Sequence, residues 1–119
     1  MTIQTVNGED YTVQHDPDTK TVTFAGSIRL QTMEAYAPLR KLLDTAILEA
    51  GSGATVFLDF RELRFLNSSG INTISRFVID VRKQNDVMLK ALGNQEIYWQ
   101  QKSLTNLQKL WPKVLVEIQ

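Results

Sequence analysis

The residues of this chain that could carry chemistry are few, and they gather around one tetrapeptide. Asn67-Ser68-Ser69-Gly70 sets two adjacent hydroxyls between a hydrophobic run, 55–60, and an apolar periodic segment from about Ser69 to Gln84. Asn67 or Ser68 can cap the helix that follows, and the free N–H groups and positive end of that helix favour an anion. Gly70 would let a partner approach the backbone. A phosphoryl group on a serine here would be tolerated and would change the surface by about −1.5 to −2 charges at pH 7. Competing chemistry is thin. The single histidine, His15, lies in an alternating segment beside a turn, with no serine or cysteine motif to make a nucleophile–base pair. Asp59 has no second carboxylate or histidine at a metal-binding spacing and reads as structural. The chain has no cysteine, which removes thiolate catalysis, disulfides and cysteine metal sites. It also lacks a glycine-rich phosphate loop with its lysine. The expectation is no catalytic residue, no metal and no cofactor.

The elements that must position this tetrapeptide follow from periodicity. Tyr11, Val13 and His15 alternate with polar residues, as do Val22 and Phe24, and the turn at Asp16–Lys20 makes them an antiparallel hairpin. Asn7-Gly8 is a turn signal that allows a further short strand before it. Gly26 ends the second strand. Thr32 can cap a helix in which Tyr36, Leu39, Leu42, Leu43 and Ala46 recur at helical spacing, with Pro38 bending its first turn or starting it. The run Thr55–Phe60 reads as a central strand buried on both faces, with Phe57 and Leu58 covered on opposite sides. Arg61, Glu62 and Arg64 read as a solvated turn. A helix from about Ser69, a strand over 87–92, a helix over 96–111 and a last strand over 114–118 complete the order β-β-α-β-α-β-α-β. Such alternation predicts an α/β fold with a mostly parallel sheet and right-handed crossovers. Trp99 and Trp111 read as packing residues.

Composition bounds the function. The chain has 119 residues, so the expectation is one domain over 1–119. Hydrophobic residues make up 43% and charged residues 22%, a globular balance. Lysine plus arginine equals aspartate plus glutamate at 13 each, so no basic excess exists to hold nucleic acid or an anionic membrane. No run is long and apolar enough to span a bilayer, and the first residues lack the pattern of a signal peptide. A cytoplasmic location is expected.

The segment Val56-Phe57-Leu58-Asp59-Phe60, followed by Phe65-Leu66-Asn67-Ser68-Ser69-Gly70-Ile71, resembles the signature of STAS domains of the bacterial anti-sigma-factor-antagonist type. In that family a hydrophobic strand leads to Asp-Ser-Ser-Gly or Asp-Ser-Thr-Gly and then a helix. The element order matches over nearly the whole chain, and Val22 and Phe24 running into Gly26 resemble the family's second strand. The resemblance implies a partner-switching module. Its first hydroxyl residue, Ser68 here, is phosphorylated by a serine kinase that is itself the anti-sigma factor, and a cognate phosphatase resets it. Arg29, Asn67, Ser69 and Gly70 would then belong to the partner-binding surface. Two positions depart from the pattern. Asn67 stands where the family has an acid, and Arg29 stands where an aspartate follows the second strand's glycine. Two further readings stay open. One is a constitutive interaction module that is never phosphorylated, and the other is a binder of small ligands or nucleotides at Ser69-Gly70.

Overall fold

The computed structural model describes residues 2–119. The chain runs through β1 (Gln4–Asn7), β2 (Tyr11–Asp16), β3 (Thr21–Ile28), α1 (Met33–Ala50), β4 (Thr55–Leu66), α2 (Ser68–Gln84), β5 (Met88–Gly93), α3 (Tyr98–Leu110) and β6 (Leu115–Ile118). This is the expected α/β order, with the short strand before Asn7-Gly8 present as β1. The sheet has six strands in sequence order, β1-β2-β3-β4-β5-β6. β1, β2 and β3 pair antiparallel, and β3 through β6 pair parallel. Each helical crossover steps one strand in the same direction, which with a constant handedness puts all three helices on one face. There α2 packs against both α1 and α3. Val13, Val22, Phe24, Val56, Leu58, Phe60, Leu89 and Ala91 fill that face under the helices.

This arrangement corrects the expectation of a strand covered on both sides. β4 is central, between β3 and β5, and Leu58 is buried beneath the helices. Phe57 lies on the uncovered face, paired across the ladders with Thr21 and Lys90, and is only partly buried. Strands beside one another in sequence order leave no helix for that second face.

The segment read as a turn over 61–64 is also corrected. β4 continues to Leu66 and β3 continues past Gly26 to Ile28. Between Thr23↔Asp59 and Ala25↔Glu62, and again between Gly26↔Leu63 and Ser27↔Phe65, β4 spends one residue more than β3. These bulges break the alternation, so the buried apolar positions run Val56, Leu58, Phe60, Leu63, Leu66. Gln100, fully buried on α3, donates through Nε2 to the carbonyls of Phe60 and Leu63, and its Oε1 accepts from the Asn94 amide at 2.8 Å. The Trp99 indole donates to the Leu63 carbonyl at 3.1 Å and meets Phe60 edge-on. The bulged strand is thus pinned to the start of α3 and delivers Asn67 and Ser68 to a fixed place. Gly26 has φ +93, and a side chain there would collide with the Asp10 carbonyl, which accepts from the Ser27 amide.

The polar residues within this frame are mostly satisfied. Asp59 accepts from the Arg61 amide and, at 2.9 and 2.8 Å, from Nε and Nη2 of its guanidinium. Burial pushes the Asp59 carboxyl up, but the Arg61 bonds outweigh it and hold the group below the ordinary aspartate range. His15 is buried on the helix face of β2, and its Nδ1 has no partner among the described residues. Among the described residues no helix is long and apolar enough to cross a membrane.

Candidate functional site

Asn67 is the organising residue at the start of α2. Its backbone is extended (φ −76, ψ 174), not left-handed as a turn asparagine would be, and it is the N-cap. The side-chain Oδ1 accepts from the Gly70 amide at 3.0 Å and from the Tyr36 hydroxyl at 2.5 Å, while Nδ2 donates to the Leu30 carbonyl at 2.9 Å. Its backbone amide donates to Ile28 and its carbonyl accepts from Ile71. One side chain therefore ties three pieces together: the end of β4, the loop after β3, and α1 through Tyr36. Burial pushes the Tyr36 hydroxyl pKa up, and a bond with the Leu30 backbone offsets part of that. The phenol remains a donor across the physiological range. α1 itself starts on a Thr32 cap, whose Oγ1 accepts from the Ala35 amide at 3.0 Å, and Pro38 sits within the helix.

Asn67 explains why an amide suits this position better than an acid. A carboxylate could keep the two acceptor bonds, but it could not donate to Leu30. The departure from the acidic pattern is thus built into the hydrogen bonding of the loop.

Gly70 has a different task from the one expected of it. It is buried, and a Cβ there would lie 2.2 Å from Leu66 Cδ1 and 2.7 Å from the Tyr36 hydroxyl oxygen. The close approach it permits is internal. Ser69 is partly buried, and its carbonyl accepts from the Thr73 hydroxyl. Ser68, the first residue of α2, is exposed, and its hydroxyl bonds to no other described residue. With the amides of Gly70 and Ile71 taken by Asn67, those of Ser68 and Ser69 are left without an intrahelical partner.

The loop after β3, which carries Arg29, and the Asn67–Gly70 segment are neighbours, as the β3–β4 register of Ser27↔Phe65 and Ile28↔Leu66 requires. Arg29 is exposed, with its guanidinium over the Phe65 ring at 4.8 Å from the centroid. Further back, Arg40 on α1 binds Asp44 at 2.8 Å and Asp80 of α2 at 2.5 Å, fixing the two helices side by side. Tyr36, Leu30 and Gln100 were not singled out by sequence reasoning. The signal available for Tyr36 was its hydroxyl, which on an apolar helix face must find a partner. Among the described residues no group of three or more histidines, aspartates or glutamates is placed to hold a metal.

No family model matches the chain, and no curated protein sequence matches it. Solved structures do. SiaC of Pseudomonas aeruginosa superposes with a TM-score of 0.69 at 15% identity, over 100% of this chain and 98% of that one. A chain in the complex of the diguanylate cyclase SiaD with its activator SiaC, from the same organism, gives 0.71 at 12% identity, covering 98% and 99%. An anti-sigma factor antagonist from Mycobacterium paratuberculosis gives 0.56 at 16% identity, covering 96% and 86%. The chain has a STAS-like fold.

Proposed function

We propose that this chain is a non-enzymatic, cytoplasmic regulatory domain whose docking to a protein partner is switched by phosphorylation of Ser68. A serine kinase of the anti-sigma-factor type adds the phosphate, and a cognate phosphatase removes it. The observation that carries this reading is the division of labour between two adjacent residues. Asn67 bonds the loop to Tyr36, Leu30 and Gly70, and Ser68 contributes an exposed hydroxyl that bonds to no other described residue. A phosphate there disturbs no internal contact and sits at the positive end of α2. SiaC is the activator in a complex with SiaD, and the mycobacterial protein is an anti-sigma factor antagonist; both roles are exercised on other proteins, which supports a protein partner here.

Ser68→Ala and Ser68→Asp test the proposal together. Both fold, because the cap is Asn67, and Ser68→Ala costs less than the roughly 0.5–2 kcal/mol of a lost cap. A quantitative pull-down from the native cell recovers a regulator with the alanine form and less of it with the aspartate form. Equal recovery with both, and no phosphate on Ser68, would identify a constitutive interaction module instead.

A further inference from the structure

The sheet ends on two edge strands, β1 and β6, and they are guarded differently. β6 carries Glu117, which bonds Lys90 of β5 at 3.4 Å, and Pro112 and Lys113 precede it. Charged side chains and proline are the usual means of keeping an edge from pairing. β1 has neither. Residues 2–7 hold no charged side chain and no proline, and the β1–β2 ladder runs from Gln4↔His15 to Asn7↔Thr12 without a bulge. The hydrogen-bond phase of that ladder follows from its turn, where the Gly8 amide donates to the Tyr11 carbonyl at 3.0 Å. Bonded positions alternate in an antiparallel pair, so Gln4, Val6 and Gly8 spend their backbone groups on β2. The amides and carbonyls of Ile3, Thr5 and Asn7 therefore point off the edge. These three residues are exposed. Their side chains stand on the face without helices, because Gln4 and Val6 pair with the buried His15 and Val13.

We infer that β1 pairs with β1 of a second copy of this chain, antiparallel about a two-fold axis that passes through Thr5 normal to the sheet. The phase of the free backbone groups selects that register. Residues facing each other across the seam must share a face and must both point outward, so Ile3, Thr5 and Asn7 can pair only among themselves. Centring on Thr5 sets Thr5 against Thr5 and Ile3 against Asn7, and it alone satisfies the outward groups of all three. Threonine opposite threonine is a favourable cross-strand pair. No charge meets a like charge within the seam, since the nearest acids, Glu9 and Asp10, lie in the β1–β2 turn beyond the paired span. A contact of one surface with its own copy closes at a dimer, so the guarded β6 edge takes no part and no fibre grows. Both copies keep their helices on one face of a continuous sheet. β1 runs parallel to β4, so the axis sets the two Asn67–Gly70 segments at opposite ends of that sheet. The dimer would thus present the site twice, to two partners at once, whether or not Ser68 is phosphorylated.

Sedimentation equilibrium of the full chain across a wide concentration range is expected to show a monomer–dimer equilibrium. Thr5→Pro removes an amide that points off the edge and none that bonds β2, so the monomer keeps its fold by circular dichroism while the dimer Kd rises by at least about tenfold. The register is read by disulfide trapping, which is unambiguous in a chain without cysteine. In Thr5→Cys the two thiols lie on the axis, with Cα atoms about 5.5 Å apart, inside the range a disulfide spans. Mild oxidation should cross-link this variant. It should leave Asn7→Cys, whose copies lie about 14 Å apart along the strands, and Leu115→Cys on the β6 edge uncoupled. Benzoylphenylalanine at position 5 in the native cell should then give an adduct with a second copy. A parent that stays monomeric at every concentration, a dimer that survives Thr5→Pro, or trapping through Asn7→Cys or Leu115→Cys in place of Thr5→Cys would each overturn the inference. An adduct formed only with a different protein would do the same and would assign the β1 edge to that protein's strand.

Discussion

Replacing Asn67 with aspartate isolates the one bond at this position that a carboxylate cannot make. The carboxylate of Asn67→Asp still accepts from Gly70 and from the Tyr36 hydroxyl, and its charge at a helix start contributes about 0.3–1 kcal/mol in favour. Against that, the 2.9 Å donation to the Leu30 carbonyl becomes a contact between two acceptors. Losing the bond costs about 0.5–1.5 kcal/mol, and leaving a partly buried carbonyl unpaired adds about 1–3 kcal/mol. The net expectation is a destabilisation of about 1–3 kcal/mol, or roughly 3–6 °C in Tm for each kcal/mol in a domain of this size. Urea denaturation with an unchanged slope measures it. The variant also carries a signature that ordinary cap loss lacks. In acid the carboxyl regains a proton it can donate to Leu30, so the deficit relative to the parent shrinks as pH falls. A variant as stable as the parent at neutral pH, or a deficit that does not shrink in acid, would refute the assignment of Nδ2 to the Leu30 carbonyl.

Three further outcomes follow from named contacts. Gly70→Ala forces a methyl group against Leu66 and the Tyr36 hydroxyl and is expected to cost about 1–3 kcal/mol by the same denaturation assay, although glycine to alanine inside an exposed helix ordinarily stabilises. Arg61→Gln removes the partner that lowers the Asp59 carboxyl. A depressed carboxylate stabilises fully above its unfolded value, near 3.9, and loses that contribution as pH falls through the lower folded value. The variant's stability deficit should therefore be present at neutral pH and vanish in strong acid, which urea midpoints across pH will report. In Ser68-phosphorylated protein, Arg29→Ala raises the second phosphate pKa seen by phosphorus NMR, because the dianion loses a neighbouring cation; an unchanged pKa leaves Arg29 as a surface charge stacked on Phe65.

Much of the fold was legible because its signals are local. The hairpin of β2 and β3 came from Val13, His15, Val22 and Phe24 alternating about a short turn, and α1 and α2 from apolar residues at helical spacing. Two features were not legible. Alternation past Phe60 is broken by bulges that depend on how β3 and β4 pair, and no residue within 61–64 announces that pairing. The burial of Phe57 on one side only reflects the order of the strands, which the apolar run Val56–Phe60 does not encode. At the site, a capping asparagine and an exposed serine were within reach of the sequence, but which of Asn67 and Ser68 does the capping was not. That choice is fixed by Tyr36 and Leu30, more than thirty residues away. Gly70 was assigned to an external partner for the same reason, since Leu66 and Tyr36 lie against it only in the folded chain.

The central claim is that Ser68 receives a phosphate in the cell. Trypsin releases residues 65–76 as one peptide, which also contains Ser69, Thr73 and Ser75. Fragment-ion mass spectrometry of this peptide from protein isolated out of its native cell is the most direct measurement. It should find a single phosphate localised to Ser68, present in the parent and absent from Ser68→Ala. A peptide that is fully unmodified under every growth condition, or a phosphate on Ser69, Thr73 or Ser75 that persists in Ser68→Ala, would contradict the account.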